Sequence, residues 1–164
     1  MIEWSEQHLM IQDMVRKFVQ AEIVPNLEQL EHGDTPPYDV MRKLVNTLGV
    51  ADAARMRYEA MKARALTEDA ARARGEAPAP KKERDTPINA GDAAAMQVIP
   101  IIELSKYCPG MVTAMGVSMG LTAGAIMSKG TWAQKDRWAL PLLTLEKVGA
   151  WAITEPGSGS DAFG

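Results

Sequence analysis

VGAWAITEPGSGSDAFG, residues 148–164, is the stretch whose reading governs the rest of the chain. Val148 to Thr154 mixes small, apolar and β-branched side chains over too short a run for a helix, so it is expected to form a strand. Glu155 to Asp161 then reads as a tight, glycine-rich loop. Its GSGS run, Gly157 to Ser160, offers successive backbone N–H groups without obstructing side chains, a common way to cradle an anion such as phosphate. The loop lacks the lysine of a Walker motif, and no G-x-G-x-x-G opens a helix here. Taken alone, a plain turn is the simpler reading. A lone strand cannot satisfy its own backbone hydrogen bonds. Either it pairs with another chain, or the sequence continues in a larger protein, and the second is expected.

Upstream of this stretch the periodicity is helical. Ser5 is a good N-cap, and Ile11, Met14, Val15 and Phe18 follow helical spacing in a helix predicted over 5–24 and stopped by Pro25. A second helix is predicted from Tyr38 to about Leu48, with Val40, Met41, Leu44 and Val45 on one stripe and Gly49 closing it. Residues 51–79 are rich in alanine and charge, with a thin stripe of Met56, Met61 and Leu66. That composition predicts a solvent-facing helix. APAPKKERDTP, residues 77–87, is charged and broken by proline, and a mobile linker is expected over about 75–91, with Lys81 and Lys82 solvated. Helix resumes near Asp92 and is expected to kink at Pro100. Met111 to Ser128 is apolar all round and rich in small residues, the pattern of a buried helix. Gly130 ends it, and Thr131 caps the next helix, WAQKDRWALPLL.

Composition narrows the function classes. The 164 residues carry 18 Lys plus Arg against 21 Asp plus Glu, a net charge of −3, which argues against a nucleic-acid coat or a polybasic membrane anchor. Cys108 is the sole cysteine, so no intrachain disulfide forms, and His8 and His32 are too few and too far apart for a zinc site. The N-terminus lacks a basic and then apolar leader. The most apolar stretch, Met111 to Met127, is interrupted by Thr113, Gly116, Ser118, Gly120, Thr122 and Gly124. A soluble, cytoplasmic protein without a membrane span is expected.

With these residues in view, AITEPGSGSDAFG resembles the signature that opens the middle β-domain of acyl-CoA dehydrogenases, A-x-T-E-P-x-A-G-S-D, with Ser158 where alanine is common. GTWAQKDRWALPLL, residues 130–143, resembles the family's G-T-x-x-Q-K-x-x-x-L-P segment, and the first helix ending in IVPN resembles the family's first helix. The resemblance covers roughly 1–48 and 98–164 and is poor over 51–92, which looks like an insertion or a divergent surface.

The resemblance implies a mainly α chain. It would comprise an N-terminal helical domain over 1–147 and the truncated start of the middle β-domain over 148–164, with one or two strand segments. It implies a flavoenzyme of fatty acid metabolism that desaturates an acyl-CoA thioester between its α and β carbons, using FAD. Matched position by position, Trp151, Ile153 and Thr154 fall where the family's strand meets the flavin, with the Thr154 hydroxyl and backbone on the ring edge. Gly159 and Ser160 match positions near the FAD pyrophosphate, Ser160 also lying near the pantetheine of the acyl-CoA. Ala114, Val117, Ser118 and Leu121 would face the fatty chain, where small residues would suit a long or bulky acyl group. Glu155 and Asp161 correspond to structural carboxylates that cap the loop.

No catalytic residue is expected within these residues, because the family's glutamate base lies in a C-terminal helical domain and so is expected beyond Gly164. The chain alone is therefore expected to be inactive. Electron-transfer flavoprotein as acceptor and a homo-oligomer, dimer or tetramer, are implied as partners, with neither nucleic acid nor membrane. The alternatives are an acyl-CoA oxidase or flavin-dependent hydroxylase on the same scaffold, or a non-enzymatic helical interaction module.

Overall fold

The computed structural model describes residues 4–76 and 90–162. The linker expected over about 75–91, with Lys81 and Lys82, falls almost wholly on residues outside these. Gly164, beyond which the catalytic base is expected, also lies outside the described residues. The first helix, α1 (Glu6–Phe18), starts on Ser5, whose hydroxyl accepts the His8 N–H at 3.4 Å. The His8 Nδ1 accepts the Ser5 N–H in return at 3.2 Å, so histidine takes the place usually held by glutamate in a capping box. Pro25 does not stop the rod. It occupies the opening of a 3-10 turn (Val24–Asn26), where a missing N–H costs nothing, and the chain goes on through α2 (Leu27–His32).

The helix α3 (Tyr38–Thr47) buries Met41, Leu44 and Val45 as its spacing predicts. Gly49 has a φ of 67° and joins it to α4 (Val50–Ala73) at a left-handed corner that suits glycine. The expected Met56, Met61 and Leu66 stripe of α4 is not its packing face, for these side chains are 73%, 41% and 51% exposed. Tyr58 is the anchor instead. It is buried, stands edge-on to Trp132, and donates from its hydroxyl to Asp136 at 2.6 Å. Lys62, one turn on, donates to both oxygens of the same carboxylate at 2.8 and 2.9 Å. A polar clamp thus fastens an alanine-rich helix that carries little apolar surface of its own. Lys62 and then Tyr58 hold the Asp136 carboxyl below the usual aspartate range, while burial and the bond to Asp136 push the Tyr58 hydroxyl up.

Beyond residue 89, α5 (Ala90–Ser105) continues through Pro100 and packs along α1. Glu103 is buried in that seam, where it accepts from Gln12 at 2.8 Å, Arg16 at 3.0 Å and Lys106 at 2.7 Å. The helices α6 (Pro109–Met115) and α7 (Ala123–Lys129) are joined by a wider π-helical turn over Gly116–Thr122 into one rod. Its expected burial is not what the structure shows: Met111, Ser118 and Ala123 are buried, whereas Leu121 is 54% exposed. Neighbouring helices cover one flank of the rod and leave the other open among the described residues.

This 21-residue rod, Pro109–Lys129, reaches a mean hydropathy of 1.4, so by length and composition it could cross a membrane. The glycine, serine and threonine interruptions do not disqualify it as the sequence reading supposed, although the core helix of a soluble protein passes the same test. Thr131 caps α8 (Trp132–Gln134) through a reciprocal pair of bonds with Gln134. A π-helical turn (Lys135–Ala139) leads into α9 (Leu140–Leu143). Leu145 then turns the chain with a φ of 56° while fully buried, and its carbonyl accepts from Arg42 Nε at 2.9 Å.

The mainly α class is borne out. The strand expected over Val148–Thr154 is not formed: this segment has no regular structure, and an isolated bridge between Glu155 and Ser158 is its nearest approach to a ladder. The physical reason is the one that made a lone strand suspect, since helices offer no edge for it to pair with.

Burial raises the Glu103 carboxyl, but hydrogen bonds from Arg16 and Lys106 outweigh it and hold the group below the ordinary glutamate range. Its contribution to stability is therefore complete above the unfolded pKa and is lost as pH falls through the lower folded value. Urea titrations at pH 7 and between pH 5 and 3 should show this loss, flattened in Glu103→Gln, and Glu103→Ala should cost about 1–3 kcal/mol at pH 7. For the α4 clamp, Tyr58→Phe is expected to cost about 1 kcal/mol and Tyr58→Ala about 3 kcal/mol or more, measured from urea unfolding free energies.

Candidate functional site

The segment that carries the sequence signature leaves the helical body at one place. Gly149 donates its N–H to Ser118 Oγ at 3.0 Å, and the Ala150 carbonyl accepts from Thr122 Oγ1 at 3.4 Å. Both hydroxyls sit on the π-helical turn of the apolar rod, one turn apart. A Cβ on Gly149 would lie 2.8 Å from the Thr122 methyl carbon and 3.0 Å from Leu142 Cδ2, so a larger residue there would have to push these side chains aside. From Ala150 to Gly157 every residue is exposed.

Trp151 and Ile153 present apolar side chains to the outside, 45% and 38% exposed, and the exposed Thr154 hydroxyl makes no hydrogen bond to the described residues. The loop that follows closes on itself through Glu155 N–H to Ser158 O at 2.8 Å and Ser158 N–H to Glu155 O at 3.1 Å. Gly159 donates to Asp161 Oδ1 at 3.0 Å. That bond is the main reason the Asp161 carboxyl lies below the ordinary aspartate range. Gly157 and Gly159 have no positive φ, and a Cβ on either would meet nothing within 4 Å. Neither the conformation nor the packing of this chain demands glycine there. What glycine supplies is open space beside the backbone, of the kind an approaching anion needs.

Trp151, Ile153, Thr154, Gly159 and Ser160 are thus together on one exposed strip. Of the residues expected along the acyl chain, spaced three and four apart along the rod, Ala114 and Val117 are half-buried, Leu121 is exposed, and Ser118 is fully buried with its hydroxyl accepting from Gly149. Two grooves lie elsewhere. One, of about 400 Å³, is lined by Ala125, Ile126, Lys129, Gly130, Gln134 and Trp138, and the other, of about 340 Å³, runs beside Glu103, Lys106 and Tyr107. Sequence reasoning missed Thr122 and Gly149. The glycine just inside an apolar segment was the available signal, since glycine there marks close backbone approach.

A family model described as "Acyl-CoA dehydrogenase, N-terminal domain" matches residues 5–71 and 89–146. The chain belongs to the acyl-CoA dehydrogenase family. The match runs through nearly all of α4, so the insertion or divergent surface expected over 51–92 is confined to about 72–88. Mitochondrial short-chain specific acyl-CoA dehydrogenase of Rattus norvegicus is 27% identical over 98% of this chain and 32% of its own length. An acyl-CoA dehydrogenase of Bacillus subtilis is 24% identical over 96% of the chain and 34% of its own length. Over a shorter span, 41% of the chain and 18% of the relative, the short-chain specific enzyme of Megasphaera elsdenii is 37% identical. The chain spans about a third of the length of the relatives that it matches end to end. No solved structure matches it.

Because the Asp161 carboxyl is held low by a backbone N–H, its bond to Gly159 is present above the ordinary aspartate range and weakens as pH falls through the lower folded value. The Gly159 amide resonance is expected to shift in that acidic window, and in Asp161→Asn to stay fixed across it, which two-dimensional NMR would read directly.

Proposed function

We propose that the whole protein is an FAD-dependent acyl-CoA dehydrogenase that forms a double bond between the α and β carbons of an acyl-CoA thioester. This chain would supply one wall of the flavin site. The observation that carries the reading is the strip from Trp151 to Ser160, where apolar side chains, an uncommitted threonine hydroxyl and two glycines flanked by open space follow one another. That sequence of groups fits a flavin nucleotide, with an apolar ring system needing an edge-on hydrogen bond and a pyrophosphate needing backbone N–H donors.

FAD, when bound, accepts the β hydrogen as a hydride. Trp151 and Ile153 would pack against the ring system and exclude water, Thr154 would hydrogen-bond its edge, and Gly159 with Ser160 would hold the pyrophosphate and the neighbouring pantetheine. The α proton needs a base of suitable pKa. Asp161 is a poor one, because its lowered pKa and its bond to Gly159 commit it to the loop. We therefore place the base beyond Gly164 in the whole protein, as the family resemblance implies. Electron-transfer flavoprotein as acceptor and a homo-oligomeric assembly belong to the same reading.

The test is the full-length protein supplied with FAD, a dye acceptor and acyl-CoA thioesters, starting from short chains because two of the relatives above are named for that specificity. Turnover is expected with the full-length protein and none with the 164-residue chain. Thr154→Val should weaken FAD binding about tenfold, the size of one lost hydrogen bond. A full-length protein that takes up no flavin and desaturates no thioester would refute the proposal.

A further inference from the structure

The exposed strip is only as well placed as its root, and the root rests on few contacts. Ser118 and Thr122 hold the two peptide groups on either side of the Gly149–Ala150 bond, through the Gly149 N–H and the Ala150 carbonyl, while a Cβ on Gly149 would press on the Thr122 and Leu142 side chains. Every residue from Ala150 to Gly157 is then exposed. The position of the strip along the rod is therefore set at Gly149. From Ala150 to Thr154 the segment pairs with no strand among the described residues, so a shift at Gly149 would carry Trp151, Ile153 and Thr154 along with it.

We propose that Ser118 and Thr122, with Gly149 seated against them, are positioning residues that fix the register of the flavin segment. Ser118 on this view does not line the acyl pocket, because its fully buried hydroxyl is spent on the backbone that carries Thr154. The π-helical turn that holds both hydroxyls is a form of helix found disproportionately at functional positions. The inference rests on the flavin reading above and assigns the residues that make it geometrically possible.

The experiment uses the full-length protein and the variants Ser118→Ala, Gly149→Ala, Thr122→Val and Thr122→Ser. FAD affinity and the visible flavin spectrum are read beside the melting temperature and circular dichroism of the FAD-free protein. Ser118→Ala and Gly149→Ala are expected to weaken FAD binding about tenfold or more and to shift the flavin bands, with helix content unchanged. Thr122→Val should lose less, and Thr122→Ser, which keeps the hydroxyl, should behave as the parent. Should Gly149→Ala fail to fold, Ser118→Ala and the Thr122 pair still decide the matter. Variants with a lower melting temperature but parental FAD affinity and spectrum would reduce these residues to packing and overturn the proposal. So would a Ser118→Ala variant that alters acyl-CoA affinity alone. A parent protein that binds no FAD refutes the flavin reading itself, a result distinct from equal binding by parent and variants.

Discussion

The carboxylate of Glu103 is the interaction on which the helical body depends. It is buried where α1 meets α5, and it draws Gln12, Arg16 and Lys106 onto one pair of oxygens. Those donors come from both sides of residues 77–89, so the bond ties the opening of the chain to its second half. A buried charge is unfavourable unless its hydrogen-bonding capacity is filled, and here three donors fill it. The apolar seam around it, with Val15, Phe18 and Leu104, supplies the nondirectional part of the attraction. The acid adds direction, since α1 must turn Gln12 and Arg16 toward α5 to reach it, while Lys106 reaches it from its own end of α5.

The same division of labour appears at α4. Alanine gives helix propensity but little area to bury, and the helix is docked by one tyrosine ring and one shared aspartate. This explains a failure of sequence reading. Met56, Met61 and Leu66 stand five residues apart, a spacing that winds around a helix instead of following one face. Tyr58 and Lys62 stand four apart and meet Asp136, but a pattern sought only among apolar residues passes over a polar pair.

Other features were legible because their chemistry is local. Ser5 and Thr131 start helices through their own hydroxyls, and Gly49 takes a left-handed corner that few other residues tolerate. Residues 152–161 carried the family in the sequence itself, and the signature's glycines proved to border open space. What stayed hidden depended on distant partners. Pro25 reads as a stop although a 3-10 turn absorbs it, and Leu145, fully buried, adopts a conformation suited to glycine. The strand over Val148–Thr154 could not form among helices that present no edge. The family resemblance sets Ser118 along the acyl chain, and the structure adds a contact that no local pattern shows, its buried hydroxyl accepting from the distant Gly149 N–H.

The half-open rod from Pro109 to Lys129 has a consequence for how the polypeptide behaves in a cell. Leu121 on the rod and Trp151 and Ile153 on the strip each leave oily surface in water. Exposed surface of that kind attracts its own copies and the quality-control machinery that patrols newly made chains. Covering these side chains would take this surface out of water, so a neighbour laid along the rod and the strip would be held by the solvent's gain as well as by its own contacts.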